Sequence, residues 1–280
     1  MHKRDGNFYF RTDCNEVGFT FDQLNALTRV GQSTKKGNTS GQQGYIGEKG
    51  IGFKSVFKVA DTVQVASGFY EFSLDRRKPL GMILPIQSCF PMSDRRMNHT
   101  QFLLQLKSSE DFERIKIDLR HLEPQLLLFV RRLRELTVKT PTSNISYQVS
   151  NGREGPSEAR DIIHLTSRNN SNNQSVTTSY HVVRHTVMNL PAENRRPGIS
   201  MSEVVLAFPT ADTFTEIPRS QKTFAFLPVD DFGFKVSQAA LMKSHRPRAH
   251  QVFFLHSFSS TLIFYSWLAE RVLSITAHGT

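Results

Sequence analysis

Cysteine and tryptophan are scarce in this sequence, and long apolar runs are nearly absent. The 280 residues include 2 cysteines, Cys14 and Cys89, and 1 tryptophan. Two cysteines exclude a disulfide framework and a four-thiolate zinc site, and they predict reduced thiols in an intracellular protein, cytoplasmic or nuclear. The longest apolar stretch, Val252–Leu268, contains His256 and four serines and is shorter than the ~20 residues that a membrane helix needs. No membrane association is therefore expected.

Acidic residues are outnumbered by basic ones. The chain has 35 Lys and Arg against 25 Asp and Glu, a formal net charge of +10. Such a charge can attract nucleic acid or an anionic surface, but the basic residues are spread along the chain, without an aromatic–basic RNA signature or a cysteine–histidine finger. A solvated surface is the expectation, and a basic nucleic-acid-associated protein is the weakest alternative. The 22 phenylalanines indicate a substantial core.

Local patterns predict a mixture of strands and short helices. Asn7–Cys14 is predicted as a strand. Thr20 and Gln23 have the spacing of a capping box, ahead of a helix predicted over Phe21–Val30. A second helix is predicted from Phe53 to Ala60, and a third from Leu122 to Leu136 because apolar residues recur there at helical spacing. Further strands are predicted at Thr62–Ala66, Phe69–Leu74, Gly81–Pro85, Gln101–Leu106, Asn144–Val149, Ile162–Thr166, Val176–Val187, Glu203–Phe208 and Thr223–Pro228.

A glycine-rich segment, Ser33–Gly52, leads directly into the second predicted helix. So many glycines exclude a regular element, because each costs roughly 1 kcal/mol in a helix interior. They let backbone N–H groups approach phosphate oxygens, and the following helix N-terminus adds unsatisfied donors. Phe53 separates Gly52 from Lys54, so the segment is not a Walker A loop. A Rossmann fingerprint fits poorly as well, because a long loop rather than a strand precedes the glycines.

The run from Gly47 to Asp61, Gly-x-x-Gly-x-Gly-x-x-Ser-x-Phe-x-Val-Ala-Asp, resembles the lid-and-helix motif of the GHKL superfamily of ATPases. Together with Asn15–Thr20 and Val30–Lys35, it is similar to the sacsin and NO VEIN-like branch of that superfamily, and Thr223–Lys235 resembles a downstream block of the same branch. The resemblance implies a Bergerat-type fold. This α/β two-layer sandwich has a mixed, mainly antiparallel sheet with helices on one face.

The resemblance also implies a binding site for ATP and Mg²⁺. It places Asn15, Glu16 and Gly18 at a turn that contacts adenine, with either Asn15 or Glu16 receiving the adenine amino group. It places the start of the lid at Ser33, Thr34 and Lys35. The residues expected to surround the phosphates are Gly47, Lys49, Gly50, Gly52 and, in the helix below, Ser55.

No catalytic residue and no metal site is predicted within the chain. The family's glutamate and asparagine lie on a helix expected before Asn7–Cys14, and only Met1–Gly6 precedes that strand here. Glu16 and Asp61 are interpreted as turn and helix-end residues. His181 and His185 lie four apart in a strand-like run, where their side chains do not converge.

The sequence-based interpretation is an ATP-binding, chaperone-like or regulatory domain whose glycine lid closes over Mg-ATP and which does not hydrolyse it. Its partners are nucleotide and protein clients. The alternative is a non-catalytic interaction module derived from such a domain. Residues 1–190 are predicted to form the nucleotide-binding domain, incomplete at its N-terminus, and 191–202 a linker. Residues 203–237 are predicted to begin a second α/β domain, and 238–280 to form an atypical tail.

Overall fold

The computed structural model describes residues 1–28, 53–130, 132–152, 161–189, 200–210, 221–225, 227–234 and 237–240. These residues form an α/β protein with two mainly antiparallel sheets and few helices. They divide into two compact units, the first ending at Leu122 and the second beginning at Glu123. The predicted domain limits at 190, 202 and 237 stay predictions.

The first unit is built on a six-stranded antiparallel sheet. Its strands are β1 (His2–Arg4), β2 (Asn7–Cys14), β3 (Ala60–Ser67), β4 (Tyr70–Asp75), β5 (Ile86–Gln87) and β6 (Thr100–Leu106). Their order across the sheet is β1-β2-β6-β3-β4-β5. The central strand β6 thus pairs with two strands that lie far from it in sequence, and the strand predicted at Asn7–Cys14 is confirmed.

Register assigns the side chains of this sheet to two faces. Phe102 stands opposite both Thr12 and Val65, and Leu104 opposite Phe10 and Val63. Because opposed residues of an antiparallel pair share a face, these side chains form one apolar layer. Leu103 lies on the other face, where it packs with Ala66, Phe90 and the partly buried Tyr9. Both faces of the sheet are therefore covered.

Helices α1 (Phe21–Thr28) and α2 (Ser109–Arg120) and the 3₁₀-helix Phe53–Lys58 complete the first unit. The capping box before α1 is confirmed: the Thr20 amide donates to the Gln23 side chain at 3.0 Å, and the Gln23 amide donates to Thr20 Oγ1 at 3.3 Å. The 3₁₀-helix buries Phe53, Val56 and Phe57. It ends before Ala60, which begins β3, so the second predicted helix is shorter than expected.

Two predicted elements of the first 140 residues are wrong. Gly81–Pro85 is a series of turns, because the amides of Gly81, Ile83 and Leu84 donate to carbonyls three or four residues back. The helix predicted from Leu122 to Leu136 is reduced to α3 (Leu126–Phe129), since Val130 is extended and β7 (Glu135–Thr140) follows. The apolar residues at helical spacing in this segment lie first in the helical turn α3 and then in strand β7.

The second unit contains α3 and an eight-stranded sheet. Its strands are β7, β8 (Ser143–Asn151), β9 (Asp161–Asn169), β10 (Gln174–Val187), β11 (Ser202–Pro209), β12 (Gln221–Ala225), β13 (Leu227–Phe234) and β14 (Ser237–Ala240). Neighbouring strands from β7 to β11 are consecutive in the chain, and the order across the sheet is β13-β12-β14-β11-β10-β9-β8-β7. The strand predicted at Glu203–Phe208 is confirmed within β11, which pairs with β10 along eight residues. The residues assigned to a second domain therefore share a sheet with those before the predicted linker.

Candidate functional site

The turn between β2 and α1 carries the first predicted site residues. Asn15 is exposed, whereas Glu16 is buried with 5% of its surface accessible. Gly18 has a φ of +96°, a conformation that glycine adopts without a steric penalty. A Cβ added to Gly18 would lie 3.1 Å from the backbone nitrogen of Gly68. The turn therefore depends on glycine at this position for both its conformation and its close approach to the β3–β4 turn.

Two buried hydroxyl groups fix this turn to the sheet. Ser67 Oγ accepts a hydrogen bond from the Phe19 amide at 2.8 Å and lies 2.6 Å from Thr100 Oγ1. Ser67 and Thr100 are directly opposed on β3 and β6 and are 0% and 1% exposed. Sequence analysis did not identify either residue, because both strands contain other polar residues and neither hydroxyl stands out.

Phe102 connects this turn with the end of the glycine-rich segment. The Phe19 ring packs edge-on against Phe102 at a centroid distance of 6.2 Å. Phe53, the first residue of the 3₁₀-helix, packs against the same ring at 5.9 Å. Two of the sequence blocks that carry the family resemblance are therefore brought together on one face of the sheet, although more than 30 residues separate them in the chain.

Lys54 and Ser55 follow Phe53 directly. Lys54 Nζ donates to the Met82 carbonyl oxygen and lies 5.5 Å from the centre of the Phe53 ring. Burial lowers the pKa of Lys54 to about 8, because removing an ammonium group from water disfavours its charged form. Ser55 is half-buried. This corner of the site thus holds a cation that is less firmly protonated than an exposed lysine.

Most of the predicted phosphate contacts cannot be located in the fold. Ser33, Thr34, Lys35, Gly47, Lys49, Gly50 and Gly52 lie outside the described residues. Of the predicted site residues, the structure describes Asn15, Glu16, Gly18 and Ser55. The first three lie shortly before Phe19 in the chain, and Ser55 lies two residues after Phe53. Phe19 and Phe53 both contact Phe102.

Three aspartates near this region are engaged in ion pairs. Asp61 accepts from Arg76 at 2.7 Å. Asp13 and Asp94 both accept from Arg11, at 3.0 and 2.9 Å. Within the described part of the chain, no group of three histidine, cysteine, aspartate or glutamate side chains could hold a metal ion, and no helix there is long and apolar enough to cross a membrane.

An open depression of about 270 Å³ lies in the same unit. Its lining includes Tyr9, Leu103 and Gln105, which register places on the face opposite Phe102. It is therefore separate from the candidate site.

Comparison with known proteins gives one similarity of interest. The chain is 31% identical over 246 residues to the Arabidopsis thaliana protein "Protein NO VEIN". The chain is thus similar to a segment of that protein. The match covers 79% of this chain but 8% of that relative, so the chain spans a small part of the relative's length. No protein-family model matches the chain.

This similarity supports one part of the resemblance predicted from the motifs, the relationship to NO VEIN-like proteins. The NO VEIN-like relationship holds over most of the chain. Membership of the GHKL superfamily, and with it the binding of ATP, belongs to the proposal that follows.

Proposed function

We propose that the first unit is a GHKL-type nucleotide-binding domain with a Bergerat-like arrangement, in which a glycine lid closes over Mg-ATP. The observation that carries the proposal is the convergence on Phe102. Phe19, from the predicted adenine turn, and Phe53, at the end of the glycine-rich segment, contact the same ring. A nucleotide that touched both segments would therefore lie along one face of one sheet.

The adenine end has features that suit a planar base. Gly18 lies close to Gly68: a Cβ at position 18 would be 3.1 Å from the backbone nitrogen of Gly68, a tight contact. Between the two candidates for the acceptor of the adenine amino group, burial favours Glu16 over the exposed Asn15, because a hydrogen bond is stronger away from water. Ser67 and Thr100 support the turn from below, through the hydrogen bond of Ser67 Oγ with the Phe19 amide.

The phosphate end is assigned to the glycine-rich segment on chemical grounds. Glycine backbone N–H groups and the start of the following helix would donate to phosphate oxygens, and Lys54 would add positive charge. Because the described residues contain no group of three metal-ligating side chains, Mg²⁺ enters the proposal with ATP and through the family resemblance alone.

Nucleotide binding can be tested by titrating ATP calorimetrically, with and without Mg²⁺, into the wild-type chain and into Gly52→Val. The added side chain would occupy space that the phosphates need, so binding should be lost while the circular dichroism spectrum is kept. Thr177→Val places the same side chain at an exposed position of β10, in the second unit, and should still bind ATP.

The outcomes separate the two parts of the proposal. Unchanged ATP affinity in Gly52→Val would refute the lid assignment. Absence of ATP binding by the wild-type chain would refute the nucleotide-binding function itself.

A non-catalytic interaction module is the second candidate, and exposed apolar side chains favour it. Val17 and Phe69 flank the contact between Gly18 and Gly68 and are 81% and 104% exposed, and Phe21 is 65% exposed. Exposed apolar groups in proximity are typical of surfaces that bind other proteins. This candidate predicts that the wild-type chain binds a protein client and does not bind ATP.

A further inference from the structure

We propose that Arg95 is a positioning residue for the adenine-contacting turn, acting from the opposite face of the sheet. The inference rests on the proposed function for its consequence in nucleotide binding, and on contacts in the first unit for its mechanism. Arg95 lies in the segment between β5 and β6, which crosses the face of the sheet that the candidate site does not use.

Arg95 is buried and bonded in several directions at once. Its side chain is 8% exposed. Nε donates to Glu71 Oε1 at 3.1 Å, and one terminal nitrogen donates to the carbonyl oxygen of Gly68 at 3.1 Å. The other terminal nitrogen donates to Gln101 Oε1 at 3.3 Å and to two backbone carbonyls of its own segment, at 2.6 and 3.5 Å. Arg95 thus joins the β3–β4 turn, strand β4 and strand β6.

Gln101 extends these bonds to strand β2. The side chain of Gln101 is 0% exposed. Its Nε2 donates to a carboxylate oxygen of Asp13 and to the Asp94 carbonyl at 2.8 Å. Its Oε1 also accepts from the Arg96 amide at 2.6 Å. Because Asp13 precedes the end of β2 by one residue, the bonds reach the start of the adenine-contacting turn.

These bonds hold the β3–β4 turn and the ends of strands β2 and β6, which support the adenine-contacting turn. Gln101 follows Thr100, and neighbouring residues of a strand point to opposite faces, so the hydroxyl of Thr100 faces the site while the amide of Gln101 faces Arg95. Gly68, whose carbonyl Arg95 binds, supplies the backbone atoms that a Cβ at Gly18 would meet first, at 3.1 Å. The position of Gly68 relative to Gly18 therefore depends on Arg95.

Arginine suits this role for a reason of shape. Its planar guanidinium presents five donors in a fixed fork, so that one side chain can bind a carboxylate, an amide and a carbonyl at the same time. A lysine has three donors on a flexible stem. It would keep the positive charge, but it could not donate hydrogen bonds in all of the directions that the guanidinium does. We therefore expect lysine to restore the function of Arg95 only in part.

The test compares Arg95→Met and Arg95→Lys with Arg76→Met. Arg76 also forms an ion pair, with Asp61, but it lies at the opposite end of the β3–β4 hairpin from Gly68. Calorimetric titration should show the Kd for ATP and for adenosine raised by the same factor, at least tenfold, in Arg95→Met, with unchanged stoichiometry. Arg95→Lys should lie between Arg95→Met and wild type, and Arg76→Met should match wild type. A loss of folded protein would lower the stoichiometry instead of raising the Kd.

A nucleotide-free measurement keeps the inference separate from the proposed function. Hydrogen exchange followed by mass spectrometry should show faster exchange for peptides covering 15–19 and 67–70 in Arg95→Met, and unchanged exchange for α2. If the wild-type chain binds no nucleotide but this pattern is seen, the proposed function fails and the positioning role of Arg95 stands. Unchanged exchange at 15–19 in a folded Arg95→Met would overturn the inference, as would a Kd for ATP within twofold of wild type.

Discussion

Lys54 shows how the environment of one residue determines its charge. Its ammonium group is partly buried, over the Phe53 ring and against the Met82 carbonyl, and burial lowers its pKa from 10.5 to about 8. Below pH 8 the folded chain must hold a charge that the same residue carries more readily in the unfolded chain. Lys54 therefore lowers the free energy of unfolding at neutral pH.

We expect Lys54→Met to raise the free energy of unfolding at pH 7 by about 1–2 kcal/mol, a value discounted for solvent exposure from the 1.36 kcal/mol that each pKa unit represents. Between pH 8 and 10.5 the unfolded wild-type chain binds more protons at this residue than the folded chain does, so wild-type stability should rise and the difference should close. Urea denaturation at pH 7, 8, 9 and 10 measures both effects.

Lys58→Met, in the same 3₁₀-helix, removes an exposed lysine and leaves Lys54 in place. It should not reproduce the gain in stability at pH 7. A constant difference between Lys54→Met and wild type from pH 7 to 10 would contradict the assignment.

At the scale of single elements, the sequence predicts those helix and strand limits that contacts between nearby residues determine. The capping box of α1 and the limits of β2 depend on residues that are close together in the sequence, and both predictions are confirmed. Helix α2 was not predicted, although Phe112, Ile115 and Leu119 recur at helical spacing and are buried. The many charged residues between them make this apolar pattern difficult to recognise in the sequence.

The candidate site was less predictable than the elements that build it. The turn at Asn15–Gly18 was predicted from its motif. Ser67 and Thr100 were not, because the hydrogen bond between them depends on the pairing of β3 with β6. Pairing between strands that are distant in sequence leaves little local signal, since it is decided by burial over the whole sheet.

Ser108→Ala tests the element that the sequence interpretation missed. Ser108 Oγ accepts from the Asp111 amide at 3.1 Å as the N-cap of α2. Its loss should lower the free energy of unfolding by about 1 kcal/mol, measured by urea denaturation. The adjacent exposed Ser109 caps nothing in this arrangement, so Ser109→Ala is the matched control and should change stability little. Equal losses in the two variants would argue against the cap.

On the scale of the whole molecule, nucleotide binding and hydrolysis make different demands. Hydrolysis needs a positioned water, a base and a metal that neutralises developing charge. In the described part of the first unit, β1 lies before β2, where the family resemblance implies a helix with glutamate and asparagine. Asp61 is paired with Arg76 and is poorly placed to act as a base.

We expect the 280-residue chain to turn over ATP no faster than background, because the loss of a catalytic base or a charge-stabilising group typically costs a factor of about 10² or more. Phosphate release with and without Mg²⁺ measures this directly. A longer chain with a helix carrying glutamate and asparagine ahead of β2 should recover slow hydrolysis. Magnesium-dependent activity in the 280-residue chain that is lost in Gly50→Val would overturn this expectation and make Glu16 the first candidate for the base.

The position of β6 at the centre of the first sheet affects how the chain folds. In the second unit, β7 to β11 each pair with the next strand in sequence, so these pairings close much shorter stretches of chain than the pairing of β2 with β6 does. In the first unit, Tyr9 pairs with Gln105, and nearly the whole unit must be synthesised before that pair can form. Because closing long loops slows folding, the consecutive strands of the second unit should assemble faster than the first sheet. A ribosome that stalls before Thr100 leaves β2 and β3 without the strand that joins them.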